Sequence, residues 1–164
     1  MTITVFTSNQ PRHLSLIEET ARICGTVYAV IETTTVFPGK IADFYRKSEV
    51  MQTYFRKVIE AEKQIFGVPR FLPSNVRPLV IKMEDLNGMS MDVLAPALSS
   101  DLYIVFGASY IKGPLITFLV PNNAYNIHMG VSPQYRGSSC NFWAAYQGNL
   151  EYVGATIHLL SKGL

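Results

Sequence analysis

The first 31 residues alternate between two apolar runs and one segment of helical periodicity, and this alternation constrains the fold more than any other feature of the chain. Residues 2–6 (TITVF) and 27–31 (VYAVI) are short runs typical of buried strands. Between them, apolar residues at roughly helical spacing predict a helix over residues 13–24, which Gly25 ends. A strand, a helix and a second strand within about 30 residues form a βαβ unit, so we expect parallel strands joined by a right-handed crossover.

The rest of the chain continues this alternation. Apolar residues on one face of residues 41–66 predict an amphipathic helix that packs on the domain, with a substrate or partner platform as the alternative. Residues 67–78 contain three prolines and predict a loop. The other predicted elements are strands at residues 79–83, 102–106, 124–128 and 155–160, and helices at residues 91–98, 115–119 and 138–147. We therefore predict one α/β domain over residues 1–164, with a mostly parallel sheet flanked by helices and a helical insertion around residues 38–78.

The composition excludes several classes of protein. Hydrophobic residues make up 48% of the 164 residues and charged residues 16%, a balance that a disordered chain does not have. The formal net charge of +2 gives little of the basic character that nucleic-acid binding requires. No run approaches the ~18–20 apolar residues of a membrane span, and residues 1–7 do not resemble a signal peptide. We expect a soluble, cytoplasmic protein without a nucleic-acid or membrane partner.

Asn126 and His128 form the candidate catalytic centre. They lie two residues apart at the carboxyl end of a predicted strand, so they point to the same side, while Ile127 between them is expected to point into the core. Ligands of open parallel sheets bind outside the carboxyl ends of the strands. From these residues alone, a role in satisfying local backbone groups is equally compatible with the sequence.

The run NIHMGVSPQYRG at residues 126–137 resembles the N-x-H-P-S-L-L-P-x-Y-R-G signature of the formyltransferases that use 10-formyltetrahydrofolate. Asn126, His128, residues 132–133 and residues 135–137 fall in or near register, whereas residues 129–131 depart from the common Pro-Ser-Leu. Further along, GATIHLL resembles the G-V-T-I-H strand of the same family. The match covers roughly residues 102–164, and the preceding half agrees in architecture only.

The resemblance implies a Rossmann-like fold and the transfer of a formyl group to a primary amine. Asn126 and His128 are then the catalytic residues: both side chains donate hydrogen bonds to the developing oxyanion, and the imidazole also exchanges protons. The family has a third catalytic residue, an Asp in the loop after the last strand. Leu164 stands one position before it, so we expect the natural protein to continue with that Asp.

The resemblance also places the formyl donor, 10-formyltetrahydrofolate. In the family, the backbone of the segment before the Gly-Pro pair, here Tyr110, Ile111 and Lys112, hydrogen-bonds the pterin ring. Ser161 and Lys162 flank the same pocket. The alternative is an ordinary strand-to-helix turn, with Pro114 in the first turn of the following helix.

The acceptor amine is less defined by the sequence. The first βα loop contains no glycine, which argues against a dinucleotide cofactor and against glycinamide ribonucleotide. Ser8 and Asn9 in this loop can hold an anion at the helix N-terminus. Tyr135, Asn141 and Trp143 are the other candidate substrate contacts, with core packing as the alternative for Trp143.

The departure at residues 129–131 and the insertion at residues 41–66 resemble the branch of the family that modifies amino sugars, so the resemblance implies a nucleotide-linked amino sugar as the acceptor. Methionyl-tRNA, glycinamide ribonucleotide, a folate- or nucleotide-binding pseudoenzyme and a purely structural domain stay open as alternatives, as does a homodimer. His13 is expected near the cap of the first helix, and His158 is expected to pack in the core or against the catalytic residues, with direct catalysis as the alternative. Cys24 and Cys140 are too few for a disulfide framework, burial is the expectation for Cys140, and no cluster has the spacing of a metal site.

Overall fold

In the computed structural model, residues 1–33 and 48–161 are described. They form a six-stranded sheet with the strand order β3-β2-β1-β4-β5-β6. The strands are β1 (Thr2–Ser8), β2 (Thr26–Thr33), β3 (Val76–Lys82), β4 (Leu102–Phe106), β5 (Tyr125–His128) and β6 (Thr156–Leu159). Neighbouring strands from β3 to β5 pair in parallel, and β6 is antiparallel to β5. The mostly parallel α/β sheet that the sequence predicts is confirmed.

Five α-helices accompany the sheet in the described ranges. They are α1 (Pro11–Ile23), α2 (Glu49–Phe66), α3 (Met91–Leu98), α4 (Gly113–Leu119) and α5 (Cys140–Tyr146), with 3₁₀ turns at Asp85–Gly88 and Leu150–Tyr152. Residues 41–47, the first part of the helix predicted over 41–66, lie outside the described residues. None of the helices in the described part of the chain is long and apolar enough to cross a membrane.

The core lies on both faces of the sheet. Val5 and Phe6 are neighbours on the central strand β1 and belong to two different clusters of buried residues, as alternation along a strand requires. Ile17 of α1 packs in the cluster of Val5, whereas Leu94 of α3 and Leu119 of α4 pack in the cluster of Phe6. Helices therefore cover both faces at the centre, which explains why β1 and β2 are continuous apolar runs.

β3 begins three residues before the strand predicted at 79–83, within what the sequence predicts to be a loop. Pro78 lies inside β3, opposite Ala29 of β2. Because β3 is an edge strand, one side of its backbone has no partner strand, so proline's missing N–H is tolerated there. The prediction failed because proline content was taken as evidence against any strand.

β5 and β6 differ from the centre of the sheet. β5 pairs with β4 through two residue pairs only, and β6 is an edge strand. The prediction that Ile127 points into the core is wrong: it is half-buried and belongs to neither buried cluster. In the antiparallel register, Asn126 lies opposite His158 and His128 opposite Thr156. β6 thus brings side chains to the candidate catalytic centre.

Candidate functional site

The candidate site lies at the edge of the sheet where the parallel strands β1, β4 and β5 end. Asn126 and His128 lie at this edge on β5, and both are half-buried. The loop after β4, with Tyr110, Ile111 and Lys112, leaves the sheet at the same edge, as does the loop after β1. The topology therefore brings together the residues predicted for catalysis and for formyl-donor binding.

The side-chain amide of Asn126 is oriented by His158. Nδ2 of Asn126 lies 3.2 Å from Nε2 of His158, and Nδ1 of His158 lies 2.9 Å from the carbonyl oxygen of Leu159. Because a carbonyl oxygen only accepts, Nδ1 of His158 carries the proton and Nε2 accepts from Asn126. The hydrogen bond between the two side chains therefore runs from the amide nitrogen of Asn126 to the imidazole of His158. His158 contacts the predicted catalytic amide itself.

His128 has a defined tautomer in this arrangement. Its Nε2 lies 3.2 Å from the carbonyl oxygen of Tyr135, so Nε2 carries a proton and donates it. In the neutral imidazole, Nδ1 then keeps a lone pair that accepts a proton. Sγ of Cys140 lies 3.5 Å from the same Nε2, and burial raises the pKa of the Cys140 thiol. Cys140 is buried as predicted, and it also contacts His128.

Gly130, in the turn after β5, lies where the sequence departs from the family signature. A Cβ atom at Gly130 would lie 2.5 Å from Cβ of Cys140 and 3.0 Å from Nε2 of His128, so glycine lets α5 approach the imidazole. Oγ1 of Thr156 donates to the carbonyl oxygen of Gly130 at 2.7 Å and accepts from the N–H of Ser132 at 3.0 Å. A side chain of β6 therefore holds the turn in which the sequence departs from the family signature.

A cleft of about 520 Å³ lies beside His128. Its walls are formed by Gln134, Tyr135, Arg136, Cys140, Trp143, Gln147, Asn149 and Tyr152. The Tyr135 hydroxyl donates to Gln147 Oε1 at 2.6 Å and accepts from Asn149 Nδ2 at 2.8 Å. Two wall residues, Tyr135 and Cys140, also contact Nε2 of His128, so the cleft adjoins the candidate catalytic centre.

Tyr135, Asn141 and Trp143, the predicted substrate contacts in and before α5, lie in different surroundings in the structure. Tyr135 and Trp143 line the cleft, and Trp143 is 47% exposed, so it is not a core residue. Asn141 does not line the cleft: its Oδ1 accepts from the N–H of Gly154 at 2.9 Å. Asn141 therefore ties α5 to the segment that leads into β6.

Glu32 and Asn87, which the sequence analysis did not single out, hold the loop after β4. The carboxylate of Glu32 accepts from the N–H of Ser109, and the side-chain amide of Asn87 bonds to Tyr110 and Lys112. Glu32 is fully buried at the end of β2. An acidic residue near the end of an apolar run is a signal in the sequence that could have identified Glu32; Asn87 gives none beyond its turn-forming sequence DLNG.

The loop after β1 is closely packed. Ser8 and Asn9 are both buried, and so is His13, whose Nδ1 accepts from the N–H of Gln10 at 3.3 Å. The expectation that His13 lies in the cap region of α1 is confirmed. Burial first, and the charge of Arg12 second, lower the pKa of His13 to about 3. Arg12 itself forms an ion pair with Glu62 of α2.

Nε2 of His13 therefore carries the proton of the neutral ring, and it has no hydrogen-bond partner among the described residues. It points at the backbone of the loop after β4: a Cβ at Gly107, where φ is +68°, would lie 2.3 Å from it. The ring of Phe106 packs edge-on against His13 with centroids 4.8 Å apart. His13 thus links the loops that follow β1 and β4.

Ser161 is exposed and follows the end of β6 that pairs with Tyr125. The preceding Leu160 packs against the buried cluster that contains Ile111, and Lys162 lies outside the described residues. Within residues 1–33 and 48–161, no group of three or more His, Cys, Asp or Glu side chains is arranged to hold a metal ion.

Comparisons with known proteins find formyltransferases among the proteins similar to this chain. The chain is 29% identical over 85 residues to a methionyl-tRNA formyltransferase of Anaeromyxobacter sp. (strain K), a match that covers 52% of this chain and 27% of that protein. No family model matches the chain. The matched region therefore spans about a quarter of the curated relative's length.

Two solved structures with a similar fold come from other bacteria. A glycinamide ribonucleotide transformylase 1 from Symbiobacterium toebii has a TM-score of 0.58 and 16% identity, and the match covers 100% of this chain and 68% of that one. A 4-N formyltransferase from Francisella tularensis has a TM-score of 0.51 and 21% identity, with 98% and 50% covered. The protein has the fold of the formyltransferases, and its resemblance to proteins of that family is confirmed.

Proposed function

We propose that this protein transfers the formyl group of 10-formyltetrahydrofolate to the primary amine of a nucleotide-linked amino sugar. The observation that carries the proposal is the hydrogen-bond arrangement at the end of β5. There the Asn126 amide is oriented by His158, and His128 donates from Nε2 to Tyr135, which leaves its Nδ1 with a lone pair. These two side chains, two residues apart on β5, supply a hydrogen-bond donor for the oxyanion and a proton acceptor.

Asn126 stabilises the charge that develops on the formyl oxygen. Its amide nitrogen has two hydrogens, and one of them is directed to Nε2 of His158. The second hydrogen remains for a ligand. Donors held in place before the reaction contribute most where water is excluded, and removing one typically lowers kcat by about 10²–10³-fold. His158 maintains this orientation because its own Nδ1 is bound to the backbone.

His128 moves the proton. In the reaction, the acceptor nitrogen bonds to the formyl carbon that 10-formyltetrahydrofolate supplies, and the bond between that carbon and the folate nitrogen breaks. The acceptor amine loses one proton and the folate nitrogen gains one, so no net acid or base is consumed. Nδ1 of His128 takes the first proton and returns it, directly or through water. The bond from Nε2 to Tyr135 keeps the ring in the orientation for this task.

The cleft beside His128 favours a small, polar acceptor. Its volume of about 520 Å³ lies within the ~300–1,000 Å³ of small-molecule sites. Trp143 and Tyr152 offer aromatic faces, and Gln147 and Asn149 offer amide groups, a combination suited to a sugar ring or a nucleobase. Arg136 is the cationic residue on its walls and suits a phosphate of the nucleotide.

Methionyl-tRNA is the second candidate acceptor, because the matched relative is a methionyl-tRNA formyltransferase. The near-balance of charges, with 14 basic and 12 acidic residues, weighs against it, since RNA binding draws on basic surfaces. Glycinamide ribonucleotide is the third candidate acceptor, because the glycinamide ribonucleotide transformylase 1 from Symbiobacterium toebii has a similar fold. The packed, glycine-free loop after β1 weighs against this acceptor.

Formylation of a panel of amines tests the proposal. The full chain is incubated with 10-formyltetrahydrofolate and, separately, with nucleotide-linked 3-amino and 4-amino sugars, glycinamide ribonucleotide and methionyl-tRNA, and products are identified by mass spectrometry. We expect an amino-sugar product. Asn126→Ala should lower kcat about 10²–10³-fold, and His128→Ala should lower it at least as much.

Asn122→Ala is the matched control, because Asn122 is exposed and bonds the carbonyl oxygen of Phe118 in a turn away from the site. It should leave turnover unchanged. Full activity of the His128→Ala variant would contradict the catalytic role proposed for His128. A rise in melting temperature with folate but no product from any amine would instead identify a folate-binding pseudoenzyme, because a ligand that binds only the native state stabilises it.

A further inference from the structure

A thiol and a carbonyl oxygen contact the same nitrogen of the His128 imidazole. Sγ of Cys140, the first residue of α5, lies 3.5 Å from Nε2 of His128. The carbonyl oxygen of Tyr135 lies 3.2 Å from the same atom. Cys140 is 2% exposed, so the protein encloses the thiol, and the imidazole forms part of its surroundings.

The single hydrogen of the thiol decides the direction of this contact. Sγ of Cys140 also lies 3.5 Å from the carbonyl oxygen of Gly137, and because a carbonyl oxygen only accepts, the S–H group donates there. The sulfur then presents a lone pair to Nε2 of His128, which carries the proton that the carbonyl oxygen of Tyr135 accepts. The N–H group at Nε2 therefore lies between two acceptors, one oxygen and one sulfur.

The position of the thiol depends on the lack of a side chain at residue 130. A Cβ at Gly130 would lie 2.5 Å from Cβ and 3.1 Å from Sγ of Cys140. Another residue there would force α5 and its thiol away from the imidazole, because a packed interior does not absorb such an overlap. The signature that residues 126–137 resemble has Ser at this position. Gly130 thus makes room for Cys140 beside His128.

Both acceptors at Nε2 of His128 are neutral. A carbonyl oxygen carries no charge, and burial raises the pKa of the Cys140 thiol, which favours its protonated form. A neutral acceptor orients the ring without stabilising a positive charge on it as strongly as a carboxylate would. Nδ1 of His128 can therefore take a proton from the amine and release it again, as the proposed reaction requires.

We propose that Cys140 is a positioning residue that holds the imidazole of His128, through the N–H group at Nε2, in the orientation and tautomer in which Nδ1 accepts a proton. The inference rests on the proposed function and deepens it. Cys140 lies on the wall of the cleft but is almost wholly buried, so it acts through His128 and not by binding the acceptor. Its loss should therefore lower kcat and leave both KM values unchanged.

Cys140→Ala and Cys140→Ser together test the proposal, because both shorten the side chain and only serine keeps an acceptor for Nε2 of His128. We expect Cys140→Ala to lower kcat about tenfold, since one hydrogen bond that orders the ring is lost. The KM for 10-formyltetrahydrofolate and the KM for the nucleotide-linked amino sugar should stay within about twofold of wild type. Cys140→Ser should keep kcat within about threefold of wild type.

Nitrogen NMR of the imidazole rings gives a second readout that needs no turnover. We expect His128 to show the single tautomer with the proton on Nε2 in the wild type and in Cys140→Ser. In Cys140→Ala, the two ring nitrogens should shift towards the average of both tautomers. His128→Ala assigns the signals, and melting temperatures verify that each variant is folded.

Cys24→Ala is the matched control, because Sγ of Cys24 bonds the carbonyl oxygen of Thr20 at the end of α1, at the opposite edge of the sheet. It should change neither kcat nor the His128 signals. If the wild type forms no product with any amine, the proposed function is wrong, and the ring signals alone decide whether Cys140 holds the imidazole. If Cys140→Ala and Cys140→Ser lower kcat alike while the His128 signals stay unchanged, Cys140 only fills space and the positioning role is wrong.

Discussion

β1 and β6 belong to the same sheet but are built in opposite ways. In β1 every residue after Thr2 is buried, whereas in β6 no residue is buried and half-buried positions alternate with exposed ones. β1 has a parallel partner on each side and helices on both faces, while β6 is an antiparallel edge strand. The candidate catalytic residues lie on β5, which pairs with β6 and has no buried residue either.

The difference indicates how each region is held. Apolar burial fixes the centre, so its residues are interchangeable with others of similar volume. At the β5–β6 edge, individual hydrogen bonds fix single side chains, as between Asn126 and His158 or between Thr156 and Gly130. We therefore expect changes at the centre to alter stability most, and changes at the edge to alter turnover most.

The largest effect on stability should come from Phe6→Ala. Phe6 is fully buried in the cluster beneath α3 and α4, so truncation leaves a cavity and should lower the free energy of unfolding by about 3–5 kcal/mol. Ile157→Ala on β6 is the counterpart: Ile157 is 68% exposed, and the change should stay within about 0.5 kcal/mol. Urea unfolding of both variants measures the contrast, and equal losses would contradict it.

Gly130→Ala should have an intermediate effect on stability and a large one on turnover. The new methyl group would lie 2.5 Å from Cβ of Cys140, so α5 must shift, at about 1–3 kcal/mol, and the shift disturbs His128. Gly88→Ala is the matched control, because nothing lies within 4 Å of a Cβ there. Adding Cys140→Gly to Gly130→Ala should recover stability; if it does not, the contact with Cys140 is not the cause.

The smallest effect, taken per pH unit, should be the dependence of the free energy of unfolding on pH that His13 causes. Its folded pKa of about 3 lies below the ordinary value of 6.5, so between these values the unfolded chain binds a proton that the native state does not. The stability is therefore complete above about pH 6.5 and falls as the pH drops, at on the order of 1 kcal/mol per pH unit. His13→Gln should lose this slope relative to wild type in unfolding measurements from pH 7 to pH 4; parallel curves would contradict the assignment.

The predictions from the sequence succeeded where periodicity reports burial. The helix around residues 13–24 and the flanking strands follow from apolar spacing, because a buried strand must be apolar on both faces. They failed at the edges, where burial is partial. Pro78 was excluded from a strand although an edge strand tolerates it, and Ile127 was assigned to a core that does not extend beneath β5.

The candidate site likewise contains residues that a local pattern identifies and contacts that join distant parts of the chain. Asn126 and His128 were identified from their spacing and from the family signature, which are properties of one short segment. The substrate contact of Asn141 stays a prediction from the sequence, whereas the bond of its Oδ1 to the N–H of Gly154 is seen only in the structure. Glu32 and Asn87 were missed because each acts on a loop 23 to 77 residues away along the chain. A local pattern does not show which distant backbone group such a side chain will contact.

By itself, the sequence determined the α/β class, the parallel βαβ start and the segment that carries the candidate chemistry, because each depends on residues close together in the chain. The tertiary structure alone decided the direction of β6, the tautomers of His128 and His158 and the side chains that hold the loop after β4. These depend on which distant backbone groups meet. A hydrogen bond is set by distance and direction in space, and neither is encoded in local spacing.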